Sequence, residues 1–142
     1  MKKLIVWDNI YSVGYELFDK QHRQLVEMIN DLYAAFLSGD AHDKASEIVS
    51  EMIKYTDYHF KTEEKYFEKY KYPHTDKHKE EHMLFVGKAT ELKHRLESGK
   101  VTVTYDIMNF LRQWLIEHIM GEDKKYEKYF KENKIKINEE NN

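Results

Sequence analysis

Five of the eight histidines in this chain, His22, His59, His78, His82 and His118, fall on positions that amphipathic helices would turn towards a core. An unpartnered polar group taken out of water costs on the order of 2–7 kcal/mol, so five imidazoles in one small core need something that binds them. A metal is the best candidate. The chain has no cysteine, which removes disulfides, thiolate zinc sites and iron–sulfur clusters and leaves nitrogen and oxygen as the donors. Neutral imidazole and carboxylate suit iron, copper, nickel or zinc. His59 with Glu63, and His78 with His82, are i,i+4 pairs, so each pair can offer two donors from one helix face. Asp123 follows His118 by five residues, about 140° round an ideal helix, and needs a break that Gly121 would allow.

Seven donors are more than one tetrahedral zinc can use. Two ions divide them better. Each would take two or three histidines, Glu63 and Asp123 would span both, and a small oxygen bridge would complete the pair with one coordination position open. A single HxxxE or HxxxH is weak evidence; the joint pattern is strong because burial of all seven groups without a ligand would cost too much.

The elements that must position these residues follow from helical periodicity. Phe18, His22, Leu25, Ile29, Leu32 and Phe36 step by four and three, predicting a helix over about 19–38 with Asp19 as N-cap and Ser38-Gly39-Asp40 as its stop and the next cap. Ile48, Met52, Tyr55, His59, Glu63 and Tyr66 continue the pattern up to Tyr72-Pro73. A third helix opens near Thr75 or Asp76 and runs through His78, His82, Phe85, Ala89, Leu92 and Leu96 to Gly99. After a connection over 99–104, Ile107, Leu111, Trp114 and His118 share a stripe, with a short helix over 122–132 beyond Gly121. Short connections predict an all-α, antiparallel up-down-up-down four-helix bundle with an N-terminal arm. In that order His22, His59, Glu63, His78, His82 and His118 meet at one depth. Residues 1–133 form the expected bundle and 134–142 a polar tail that frays.

Composition agrees. In 142 residues, 41% are hydrophobic and 35% charged, with one proline and five glycines, as in a helical globular domain. A net charge of −3 gives no reason to expect nucleic acid or an anionic membrane as partner. No stretch reaches the length of a signal-peptide core or a membrane span, so a cytoplasmic, monomeric protein is expected.

The residues also resemble the hemerythrin family, in its single-domain bacterial form. The likeness covers nearly the whole chain: Val6-Trp7-Asp8, Ser12-Val13-Gly14, Asp19-Lys-Gln-His22, His59-xxx-Glu63, Tyr72-Pro73, His78-xxx-His82-xx-Phe85 and Trp114-Leu-Ile-Glu-His118-Ile-Met-Gly-Glu-Asp123. It implies two iron ions, one held by His78, His82 and His118, the other by His22 and His59, bridged by Glu63, Asp123 and an oxo or hydroxo group. It also implies reversible dioxygen binding on the two-histidine side, in a pocket lined by Leu115, for oxygen storage, transport or delivery and not for catalysis. An oxygen or redox sensor, or a di-iron enzyme handling peroxide, nitric oxide or iron-centre repair, is the alternative.

Ordinary roles account for the other conspicuous residues. His42, His74 and His94 are expected in solvent. Trp114, Leu115, Phe85 and Ile29 would serve packing even without a pocket, and most of the eleven tyrosines suit amphipathic interfaces. Trp7 is expected to cap the bundle from the arm.

Overall fold

A computed structural model describes residues 3–38, 41–99 and 104–137, with only the backbone given for 41–43. Among the described residues, five α-helices follow a 3-10 turn at Asn9–Tyr11: α1 Glu16–Ser38, α2 Ala41–Lys69, α3 Thr75–Glu97, α4 Tyr105–Glu117 and α5 Lys124–Glu132. A π-helical segment, His118–Asp123, joins α4 to α5 without interruption. The described residues contain no strand, and none of their helices is long and apolar enough to cross a membrane. The long consecutive helices α1, α2 and α3 pack side by side and α1 also touches α4.

Local chemistry sets the helix ends. Gly14, at φ 74°, lies in the left-handed region that favours glycine and precedes α1; a Cβ there would stand 2.9 Å from Lys131 Cε, at the end of a side chain free to move aside. Beyond α2, Lys71 takes φ 54°, and the Tyr72 amide donates back to the Phe67 carbonyl at 2.9 Å, closing the helix before Pro73. Thr104 caps α4 by accepting from the Ile107 amide at 3.3 Å. The expected stop and cap at Gly39 and Asp40, and residues 100–103 of the next connection, lie outside the described residues.

Asp19 is not the N-cap of α1. The helix begins three residues earlier, and Asp19 is buried inside its first turn, accepting from Ser12 Oγ at 2.5 Å and from the Val13 amide at 2.8 Å. A short polar residue before an apolar run resembles a cap; here the carboxylate anchors the arm. Asn30 holds the same arm further along, accepting from the Leu4 and Ile5 amides and donating to the Ile5 carbonyl. Lys131 donates to the Gly14 carbonyl and lies 4.5 Å over the Tyr15 ring, so α5 closes on the arm. Trp7 packs against the core from the arm, edge-on to Tyr11. Within the expected 134–142 tail, Ile135 and Ile137 pack against the core, and Tyr15 donates its hydroxyl to the Ile135 carbonyl at 2.7 Å. Residues 138–142 lie outside the described residues.

Gly121 does not break the last helix. Its φ is not positive and a Cβ would meet nothing within 4 Å. The helix widens instead, and this widening positions the final carboxylate.

Candidate metal centre

The bundle brings His22, His59, Glu63, His78, His82, His118 and Asp123 together, each at most 4% exposed. α1 carries His22 near its start, α2 carries His59 and Glu63 towards its end, and α3 carries His78 and His82 in its first turns. In the π-helical segment the hydrogen-bond ladder runs i to i+5, so a residue five positions on takes the place that an α-helix gives to the fourth. Asp123 therefore comes back over His118, with Oδ1 at 3.2 Å from His118 Nε2.

Each carboxylate divides its oxygens between two groups of imidazoles. Glu63 Oε1 faces His82 Nε2 at 3.2 Å and His78 Nε2 at 3.6 Å, while Oε2 faces His59 Nε2 at 3.4 Å and His22 Nε2 at 3.5 Å. Asp123 Oδ1 faces His78 Nε2 at 3.0 Å besides His118, while Oδ2 faces His22 Nε2 at 3.1 Å. One side thus gathers His78, His82 and His118, and the other His22 and His59. Both sets, each with Glu63, keep their donor atoms within 4.8 Å of one another.

These separations fit donors arranged around an ion. Neighbouring ligands at right angles on an ion with bonds of about 2.1 Å stand roughly 3.0 Å apart. The same atoms fit hydrogen bonding poorly: Nε2 of His22 and His78, Oε1 of Glu63 and both Asp123 oxygens are buried without a hydrogen-bond partner despite these short approaches. Buried polar atoms are ordinarily satisfied, so the residues present fit a bound metal.

Surrounding groups fix the rings and oxygens. Gln21 Oε1 lies 2.6 Å from His59 Nδ1, and Glu64 Oε2 lies 3.0 Å from His82 Nδ1, so each acceptor leaves Nε2 facing the cluster. Phe60 stacks on His82 with centroids 3.6 Å apart and planes 5° from parallel, and Trp114 stacks on His118 at 4.6 Å and 10°. Tyr126, fully buried on α5, donates its hydroxyl to Glu63 Oε2 at 2.7 Å. Gln21, Glu64, Phe60 and Tyr126 were not singled out by sequence reasoning. His74 and His94 are exposed and stand apart from the cluster; the His42 side chain lies outside the described residues.

The electrostatics oppose burial at most positions. Burial pushes Glu63 up, but His59, His22 and His78 hold it well below the usual carboxylate range. Asp123, raised by burial and by Glu63, is likewise held well below that range by His118 and His22. Burial pulls His22 and His78 down, yet Asp123 and Glu63 lift them to about 9 and about 10. His82 is also raised, against burial, by Glu63 and Glu64. At His59 burial wins and the imidazole is pushed down. A bound cation would compete with any proton on these imidazoles.

One turn deeper, each of the four long helices adds one residue to a second layer: Leu25 follows His22 by three, Thr56 precedes His59 by three, Phe85 follows His82 by three, and Leu115 precedes His118 by three. Three residues span about 4.5 Å along a helix. These four and Trp114 line a cavity of about 10 Å³, with Ile29 and Met52 a further turn away. Leu115 is buried there, 4% exposed.

Comparison with known proteins agrees with this geometry. The family model of the Hemerythrin HHE cation binding domain matches residues 13–130. Bacteriohemerythrin of Stenotrophomonas maltophilia (strain R551-3) is 32% identical over 123 residues, covering 87% of this chain and 79% of that protein. A hemerythrin-like protein of Naegleria gruberi is 34% identical over 120 residues, 84% of this chain and 88% of the relative. A crystal structure of wild-type hemerythrin superposes with a TM-score of 0.83 at 29% identity, over 88% of this chain and 96% of that one.

Proposed function

The chain belongs to the hemerythrin family, and from that premise we propose that its buried cluster holds two iron ions with an oxo or hydroxo bridge and binds dioxygen reversibly, for oxygen storage, transport or delivery. The observation that carries this reading is the division of five imidazoles, three against two, about carboxylates that turn one oxygen to each side. His78, His82 and His118 would hold one ion, His22 and His59 the other, with Glu63 and Asp123 shared. Bound there, a ferrous pair would supply two electrons to dioxygen and take them back on release.

The side chains do the rest. The two-histidine side has one donor fewer, which leaves a coordination position for a small ligand. Two carboxylates against five neutral imidazoles supply less negative charge than the four glutamates and two histidines of ferritin-like bundles, which favours binding over oxidation of substrates and a carrier over an enzyme. Tyr126, raised well above its ordinary pKa by burial and then by Glu63 and Asp123, keeps its proton and donates it in a hydrogen bond to Glu63 Oε2. Leu115, with Leu25 and Phe85, keeps water from the layer above. The unit that does this is residues 1–133, with Ile135 and Ile137 of the expected 134–142 tail packed onto it.

The test is to load the protein with iron, reduce it without air, admit dioxygen and then apply vacuum, with visible spectra and a metal count. Two irons per chain and a band that appears with the gas and disappears under vacuum support the reading. Gas consumption with turnover, and no release, overturns it.

A further inference from the structure

Thr56 is 1% exposed and its Oγ1 has no hydrogen-bond partner. A buried threonine within a helix ordinarily satisfies its hydroxyl on the carbonyl four residues back, and this one, deep in α2, does not. An unmet buried hydroxyl is costly, and the surroundings offer it no acceptor: it lines the cavity with Leu25, Ile29, Met52, Phe85, Trp114 and Leu115, of which only Trp114 carries a strong hydrogen-bonding group, an indole donor that makes no hydrogen bond to it. The cavity is about 10 Å³, near the roughly 10–15 Å³ that a single water needs. Thr56 also lies one turn from His59, on the side of the cluster that has two imidazoles.

We propose that the Thr56 hydroxyl is the protein's hydrogen-bond donor to a small ligand seated between the His22–His59 side of the cluster and this cavity. The inference rests on the function proposed above in taking that ligand to be dioxygen. A donor at this position holds the distal end of a diatomic ligand on which negative charge accumulates, while the aliphatic neighbours exclude competing water. The hydroxyl thereby slows ligand escape without affecting entry. Thr56 is a positioning residue for the ligand and contributes nothing to metal retention.

Two variants separate the hydroxyl from the space it fills: T56V removes the donor and keeps the branched shape, and T56S keeps the donor and removes the methyl. In the iron-loaded protein, T56V is expected to speed dioxygen release about two- to tenfold, the worth of one ordinary hydrogen bond, with the uptake rate and iron content unchanged. T56S is expected to release within about twofold of the parent. In the metal-free protein T56V should unfold at the parent temperature or above it, because an unmet hydroxyl has been removed. Equal release rates for T56V and T56S, or a parental rate for T56V, would overturn the inference. So would a metal-free T56V that melts several degrees lower, since the hydroxyl would then be structural. Azide binding to the ferric protein separates this idea from the carrier reading. A parent that takes azide more tightly than T56V but never binds dioxygen defeats the carrier reading and leaves the donor role standing. A parent that releases dioxygen under vacuum, with neither probe sensing T56V, does the reverse.

Discussion

The two sides of the buried cluster use the same kinds of atoms and differ in number, support and surroundings. The His78, His82, His118 side is walled by aromatic rings: Phe60 stacks on His82, Trp114 on His118, and Phe67 stands edge-on to His78 at 4.7 Å. One of its imidazoles is backed by a carboxylate, Glu64. The His22, His59 side has two imidazoles, edge-on to each other at 4.6 Å, and the neutral amide of Gln21 as its outer support. A full complement of donors held by stacked rings makes a side suited to retaining its ion. A side with one donor fewer is suited to exchanging a ligand, and the small cavity one turn deeper is lined from all four long helices. One carboxylate pair serves both, so a division of labour can arise within a single layer of the bundle.

The largest effect should come from removing an imidazole on the poorer side. H59A is expected to lower the metal count from two per chain to one and to abolish dioxygen uptake, read by elemental analysis and gas titration; a count that stays at two would break the asymmetry described above. Next, E64Q on the richer side should weaken metal retention about 10- to 100-fold, the usual cost of losing an outer partner of a metal-bound histidine, as measured by competition with a chelator. Replacing Leu115 by serine should leave the metal count at two and shorten the lifetime of the oxygenated form about tenfold, as water enters the cavity. An unchanged lifetime in L115S would remove Leu115 from the account.

Proton linkage gives a smaller effect. The folded, metal-free protein raises His22 to about 9 and His78 to about 10 from an ordinary 6.5. A raised imidazole pKa means the folded state binds the proton more tightly, so this stabilisation is complete below about pH 6.5 and is lost as pH rises through 9 and 10. The metal-free protein should therefore melt several degrees lower at pH 10 than at pH 6.5, and the metal-loaded protein, whose imidazoles have already lost those protons, should not. Metal uptake at pH 7 should release protons, measurable in a weakly buffered solution.

Much of this was legible in the sequence because helical periodicity reports which residues share a face. His22, His59, Glu63, His78, His82 and His118 all sit on regular α-helical seams or at the end of one. Asp123 was harder: regular α geometry turns it away from His118, and a break at Gly121 is the simplest remedy, whereas the chain widens into a π segment that has no sequence signature of its own. Asp19 misled for a different reason, since a carboxylate before an apolar run serves equally as a helix cap or as the anchor of a neighbouring strand of chain. Thr56 and Phe60 lie one position beyond the stripe of Met52, Tyr55 and His59, and the buried face of α2 proves wider than that stripe. Their spacing from His59 and Glu63 was the available signal. Gln21, Glu64 and Tyr126 each act through one specific contact, and only packing determines such contacts.

The central claim is that one layer of this bundle holds two ions with unequal histidine shares. Anomalous diffraction at the iron edge from crystals of the iron-loaded protein tests it most directly. The account predicts two peaks per chain, one against His78, His82 and His118 and the other against His22 and His59, with Glu63 and Asp123 touching both. A single peak, or two peaks that share the five histidines in any other way, would contradict it.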